Sequence, residues 1–258
     1  MTFSTSPATE SDPFDGGMGQ WDESDDQNLL AYRAWQRDLI LPWVGPRVLE
    51  VGAGHGMMAE LISGGPQVRR YLALEPSTAR FQALAARRSI RPSLEAQCAT
   101  LDMLDSSLLR TFDSAISIHV MEHVEDDAAF LRQVAAFVRP GGAVIIMVPA
   151  LPWLYSNLDR RVGHYRRYTR ERMRLLGRGI GLTVVRNRYD NLPGVVGWWW
   201  ICRVCGVDYH SRAAKTTLLR GFNFFSKFVL PVVSRIERYV PPPLGLNLTT
   251  IYRVPDGD

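Results

Sequence analysis

The sequence predicts an α/β fold built on a mostly parallel sheet, and three observations point there. Short apolar segments alternate with segments of helical periodicity from residue 24 to residue 148, the pattern of βαβ units. A glycine-rich turn, Gly52-Ala53-Gly54-His55-Gly56, stands where the first strand gives way to a helix. The chain of 258 residues is 46% hydrophobic and 22% charged, ordinary globular usage that excludes disorder as its main state and suits one large domain.

The elements follow in order. Residues 1–23 read as a flexible acidic tail: the first 26 residues carry Glu10, Asp12, Asp15, Asp22, Glu23, Asp25 and Asp26 and no lysine or arginine. Leu29, Leu30, Tyr32, Ala34, Trp35, Leu39 and Ile40 predict an amphipathic helix over 24–41, closed by Pro42. Strands are predicted at 47–51, 70–75, 94–99, 113–118 and 143–148, with helices at 57–62, 77–87 and 125–138 between them. Pro140-Gly141-Gly142 reads as the breaker ahead of the fifth strand. Beyond it, 149–170 reads as a loop, 169–178 as a short helix, 182–189 as a strand, 222–239 as a helix stopped by Pro241-Pro242-Pro243, and 246–254 as a last strand. The single domain therefore divides into a part at 24–150, a second part at about 150–245 and the closing strand.

No apolar run approaches the ~20 residues of a membrane-spanning helix, and the start of the chain lacks a signal-peptide pattern. Three cysteines, Cys98, Cys202 and Cys205, make no disulfide framework. The expectation is a cytoplasmic protein. Net charge is +4, with arginines gathered between Asp159 and Arg188, a segment that suits an anionic partner or simply a solvated helix face.

Glycines at a strand-to-helix turn let the backbone bend sharply and bring free N–H groups close to a ligand. The spacing here is G-x-G-x-G and not the dinucleotide G-x-G-x-x-G, which argues against a nicotinamide or flavin dehydrogenase. Glu75 ends the second strand, where an acid can accept hydrogen bonds from both ribose hydroxyls of a nucleoside.

With these residues the chain resembles the class I S-adenosylmethionine-dependent methyltransferases, over roughly residues 29–150 and more loosely beyond. The motifs are VLEVGAGHG at 48–56, LALEPS at 72–77, ATLDML at 99–104, FDSAISIHVMEHVED at 112–126 and FVRPGGAVIIMVP at 137–149. The resemblance implies a doubly wound, seven-stranded Rossmann-like methyltransferase fold with an added acceptor-binding helical segment. It implies S-adenosylmethionine as cofactor, with Gly52, Gly54 and Gly56 under its methionine part, Glu75 at its ribose, and Glu50, Ala53 and Pro76 in the same cofactor set. Asp102 would meet the adenine amino group and Met103 the ring. His119 is placed in the same cofactor set, and Tyr32 is a candidate aromatic cover, with core packing as its plainer reading.

Methyl transfer from a sulfonium is an in-line displacement in which the protein positions the acceptor and removes a proton where the acceptor carries one. His119, Glu122 and His123 lie just past the fourth strand, the edge where parallel sheets bind ligands. Quinone O-methyltransferases resemble this stretch but have an E-x-x-E-H metal motif there. Here histidine replaces the first acid, so no metal is expected, and His123 is a candidate base beside a structural reading of the pair. In Gly163-His164-Tyr165-Arg166-Arg167-Tyr168-Thr169, His164 is the second candidate base, and Tyr165, Arg166 and Tyr168 are candidate acceptor contacts. Cys202-Arg203-Val204-Cys205 has no second pair and reads as chance. The apolar tract 193–207, with Trp198 as candidate acceptor contact, reads as core, pocket wall or membrane-facing surface. The reading is methyl transfer to a small, largely apolar acceptor, on O, N or C, with peripheral membrane contact open. A nucleic-acid methyltransferase using the arginines, or a non-catalytic cofactor-binding regulator, are the alternatives.

Overall fold

A computed structural model describes residues 23–88, 91–200, 221 and 224–256. Its centre is a seven-stranded sheet of order β3-β2-β1-β4-β5-β7-β6, formed by β1 (Arg47–Val51), β2 (Arg70–Leu74), β3 (Leu94–Gln97), β4 (Phe112–Ile118), β5 (Val138–Pro149), β6 (Thr183–Asp190) and β7 (Asn247–Arg253). The first five strands run parallel. β7 enters antiparallel between β5 and β6. The doubly wound, mostly parallel sheet expected from the sequence is therefore present.

Successive side chains of a strand point to opposite faces, and here they divide the core in two. On β5, Val144, Ile146 and Val148 join Leu49, Leu72 and Leu74 on one face. There they are covered by α4 (Asp127–Ala136) and α6 (Arg170–Gly179) through Phe130, Leu131, Val134, Met173 and Leu176. Ala143, Ile145 and Met147 join Val48, Tyr71 and Ala73 on the other face. That face is covered by α1 (Glu23–Ile40), α2 (Met57–Ser63) and α3 (Thr78–Arg88). Both layers are apolar, so the strands are buried on two sides. Truncating the fully buried Leu131 to alanine costs about 2–5 kcal/mol.

The structure corrects several expectations. Pro140-Gly141-Gly142 does not precede the fifth strand. β5 starts at Val138, and pairing jumps from Phe112–Val138 to Ser114–Ala143, so 139–142 bulge out. The end of β7 fixes that bulge: Gly141 N donates to Val254 O and Val254 N to Gly142 O. Cys98 lies just past β3, exposed, and not within it. The loop 149–170 contains a short helix, α5 (Asn157–Arg161). α7 (Leu192–Trp199) fills the start of the apolar tract; residues 201–207 of the tract, with Cys202 and Cys205, lie outside the described residues. The helix predicted at 222–239 is a π-turn, Phe225–Val229, leading into α8 (Leu230–Tyr239).

Candidate functional site

The glycine turn is fixed at the carboxyl edge of the sheet. Gly52 N and Ala53 N both donate to Leu74 O, at 2.9 and 2.8 Å. Gly54 N donates to Glu75 Oε2 at 2.7 Å, and Glu75 Oε1 accepts from Ser77 N at 3.1 Å. Glu75 is buried, so one carboxylate ties the turn to the end of β2. Gly52, Gly54 and Gly56 have φ of 73°, 57° and 80°, the left-handed region that favours glycine. Two of them also allow close approach: a Cβ on Gly52 would lie 2.4 Å from Val120 Cγ2, and one on Gly56 2.6 Å from Leu84 Cδ1. At Gly54 a Cβ would meet no atom within 4 Å, so this glycine leaves a cradle above the turn.

Glu50 sits beneath the turn. Its carboxyl is buried and accepts from the Tyr71 hydroxyl at 2.9 Å, and burial pushes it up to about 7. Asp102 and Met103 share the single turn Leu101–Met103, where Met103 is exposed. A bond from the Thr100 side chain holds the Asp102 carboxyl below its ordinary range. Pro76 is partly buried, and its carbonyl faces Cys98 Sγ at 3.6 Å. Tyr32 is buried, with its hydroxyl accepting from Asn247 Nδ2 at 2.6 Å and Asn191 Nδ2 at 3.1 Å. Its polar end is thereby tied to the ends of β6 and β7, and burial pushes the phenol up to about 12.

Past β4, His119 takes a positive φ of 56°, which turns the chain into the single turn Met121–His123. Glu122 is fully buried. Its Oε1 lies 3.2 Å from His119 Nδ1 and 3.9 Å from His164 Nε2. Its Oε2 is buried without a hydrogen-bond partner. The His123 ring stands edge-on to His164, centroids 4.6 Å apart. Three imidazoles therefore surround one carboxylate. Burial pushes Glu122 up, but the bond with His119 and the charges of the three histidines outweigh it and hold the carboxyl below its ordinary range. Burial holds the His123 imidazole low. Donor atoms of Glu122, His123 and His164 all lie within 4.8 Å of one another, so these three residues are also the set that an ion would meet first.

The loop after β5 is locked by Asp159, a residue that the sequence reading passed over. Ser156 and Asp159 form a capping box on α5, and the S-x-x-D spacing was the available signal. Asp159 is fully buried. It accepts from Ser156 N at 2.9 Å, His164 Nδ1 at 2.9 Å and Arg167 Nε at 2.9 Å. Burial favours its neutral form, but the bonds from His164 and Arg167 outweigh it and lower the pKa. The loop is strapped to the turn after β4 by Tyr165 N, which donates to Glu122 O at 2.8 Å, and closed on itself by the Tyr155 hydroxyl, which donates to His164 O at 2.7 Å.

The loop after β5 and the start of the apolar tract touch through Arg167 and not Arg166. The Arg167 guanidinium lies over the Trp198 ring, 4.6 Å from its centroid, and Trp198 Nε1 donates to Leu154 O at 3.2 Å. Arg166 instead pairs with Asp127 at 3.2 Å and donates to Glu125 O. Tyr168 is fully buried, its hydroxyl donating to Met121 O at 3.3 Å. It belongs to the core and not to an exposed wall, because its ring fills the space between β5 and α6. Tyr165 is exposed.

A family model described as a methyltransferase domain matches residues 27–187. The chain belongs to the methyltransferase domain family. This methyltransferase is 31% identical over 112 residues to the ubiquinone biosynthesis O-methyltransferase of Bradyrhizobium sp. strain ORS 278. That match covers 42% of each chain, so the methyltransferase spans less than half the length of the curated relative. Its fold matches that of a methyltransferase solved with the Trm112 methyltransferase activator of Haloferax volcanii, with a TM-score of 0.61 at 18% identity over 96% of this chain and 100% of that one. It also matches phosphoethanolamine N-methyltransferase 2 of Haemonchus contortus in complex with S-adenosyl-L-methionine. There the TM-score is 0.58 at 15% identity, covering 90% of this chain and 57% of the other. The reading of the chain as a class I S-adenosylmethionine-dependent methyltransferase stands with the family.

Proposed function

We propose that this methyltransferase moves the methyl group of S-adenosylmethionine to a hydroxyl oxygen of a small, largely apolar acceptor. The observation that carries the reading is the cluster of His119, His123 and His164 around the buried Glu122 carboxylate. Through Val120 it reaches the glycine turn. A hydroxyl acceptor must lose a proton as its oxygen attacks, and a positioned imidazole is the commonest group to take it. The name of the curated relative, an O-methyltransferase, supports the choice of oxygen.

The residues present fit the cofactor. The cradle at Gly54, the three left-handed glycines and the Glu75 carboxylate at the end of β2 suit the methionine part and ribose, with Asp102 and Met103 toward the adenine. When bound, the cofactor supplies the electrophilic methyl and its own leaving group. The protein's part is to bind, to orient, and to hold or move a proton. His164, and beside it His123, take the proton; Trp198, with the Arg167 guanidinium stacked on its ring, offers the apolar face; Tyr165 stands at the rim.

The arginine segment supports a small acceptor over a nucleic acid. Arg166 and Arg172 pair with Asp127, Arg167 with Asp159 and Arg174 with Glu171, and Arg170 lies over the Tyr189 ring. These cations are engaged within the protein and do not form a phosphate track.

The test uses radiolabelled S-adenosylmethionine with phenolic acceptors carrying alkyl chains of increasing length. Label is expected on oxygen, with KM falling as the chain lengthens. Label confined to nitrogen acceptors or to RNA overturns the reading.

A further inference from the structure

We infer that the outward face of residues 224–239 docks on an anionic membrane surface. The inference extends the apolar-acceptor reading to where that acceptor is met, and rests on it only for its purpose.

Phe224, Phe228, Val232 and Ile236 are each more than half exposed, and Tyr239 is 80% exposed. Their spacing of four, four, four and three places them along one side of a helix. The Phe224 and Phe228 rings are neighbours, centroids 5.1 Å apart. The other side of the segment is already used. Leu230 is buried in the core with Phe225 packed against it. Glu237 is buried and accepts from Asn191 N at 2.9 Å and Leu192 N at 3.0 Å, capping α7. Glu237 is the only acid between 224 and 240, and it faces inward. Exposed Lys227 and Arg235 flank the apolar stripe, and Lys227 lies over the Phe228 ring. Arg238 is exposed at the border, 3.5 Å from Asp38. Trp199 and Trp200, at the end of α7, are exposed as well.

Large apolar side chains outward, cations among them and the acid withdrawn is the pattern of a helix lying in a membrane interface, where tryptophan and tyrosine also collect. A second copy fits less well. Across a two-fold axis Lys227 and Arg235 of both copies would bring like charges to the flanks of the apolar contact, with the segment's one acid, Glu237, buried and turned away. Among the described residues no helix is long and apolar enough to cross a membrane, so the contact is with the surface.

The test is co-sedimentation of the full chain with phosphatidylcholine vesicles, with and without 30% phosphatidylglycerol, a fraction of about a third chosen so that the surface potential is substantial. Binding is expected on the anionic vesicles, falling with added salt. Lys227→Gln with Arg235→Gln should weaken it about thirtyfold, the factor that ~1 kcal/mol for each basic residue gives. Phe228→Ser with Ile236→Ser should abolish it. Binding of S-adenosylmethionine by the same preparations shows that each variant is folded and keeps this test separate from the acceptor assay. Cofactor-competent protein that ignores anionic vesicles, or binds both kinds equally, overturns the inference. So does a dimer in sedimentation equilibrium that Phe228→Ser dissolves.

Discussion

His164 Nδ1 stands 2.9 Å from Asp159 Oδ1, and this contact decides which nitrogen of the ring is free. Burial pushes Asp159 up, but His164 and Arg167 hold it ionised, so it can only accept. The hydrogen therefore sits on Nδ1. In the neutral ring the lone pair is on Nε2, which faces the Glu122 carboxylate 3.9 Å away. A carboxylate behind an imidazole is how a base is kept in one tautomer and orientation.

His164→Ala should lower single-turnover methyl transfer by roughly 10²–10⁴, the range for losing a general base, with the cofactor Kd nearly unchanged. Higher pH should partly restore the rate for an acceptor that ionises by itself. Asp159→Asn should lower the rate and shift its pH profile, because the amide can present its NH₂ to Nδ1 and favour the wrong tautomer. Wild-type rates in both variants would remove the pair from the chemistry.

Glu75→Ala should weaken S-adenosylmethionine binding by about 2–4 kcal/mol, two charge-assisted bonds lost and partly replaced by water. Calorimetry reads this directly. The same carboxylate anchors Gly54 N, so a modest fall in Tm should accompany it. Tighter binding of NADH than of S-adenosylmethionine would contradict the cofactor assignment.

Turnover should survive a strong chelator, since His119 stands where the quinone enzymes' motif has its first acid, and its Nδ1 already engages Glu122 Oε1. If chelation stops turnover and one divalent ion restores it, then Glu122, His123 and His164 are the ligands. Two imidazoles and one carboxylate would then favour zinc or iron over magnesium.

Glu50 gives stability a pH slope. Burial raises its pKa in the folded state from 4.5 to about 7. A raised folded value favours the neutral acid, so this contribution is full below about 4.5 and is lost as pH climbs through about 7. The span corresponds to roughly 3 kcal/mol. Glu50→Gln keeps an acceptor for the Tyr71 hydroxyl and carries no charge. It should flatten the slope between pH 5 and 8 and stabilise the protein at pH 8, read by urea unfolding across that range.

The strands were legible because two-sided burial writes near-continuous apolar runs: Arg47–Val51 and the span from Ala143 to Val148 were read in place. The glycine turn was legible because left-handed backbone demands a particular residue. The bulge at 139–142 was not, since its cause is the distant end of β7. Nor was α5, whose single turn shows no period and is held by Asp159. The burial of Tyr168 and the stacking of Arg167 on Trp198 were not legible, because nothing local distinguishes a side chain facing the core from one facing a ligand. The partners that decide it, Met121 O and the Trp198 ring, lie 47 and 31 residues away.

The place of β7 bears on the order in which the protein can be made. Among the described residues β6 pairs with β7 and with no other strand, and β7 follows it by more than fifty residues. During synthesis the first five strands can assemble as each leaves the ribosome. β6 must wait, its ladder unfilled, until Asn247–Arg253 slides in beside β5. Contacts of such sequence separation form slowly, and an unfilled edge invites wrong pairing. α7, with Trp198, follows β6 directly, so the half of the molecule beyond β5 is the last to be born.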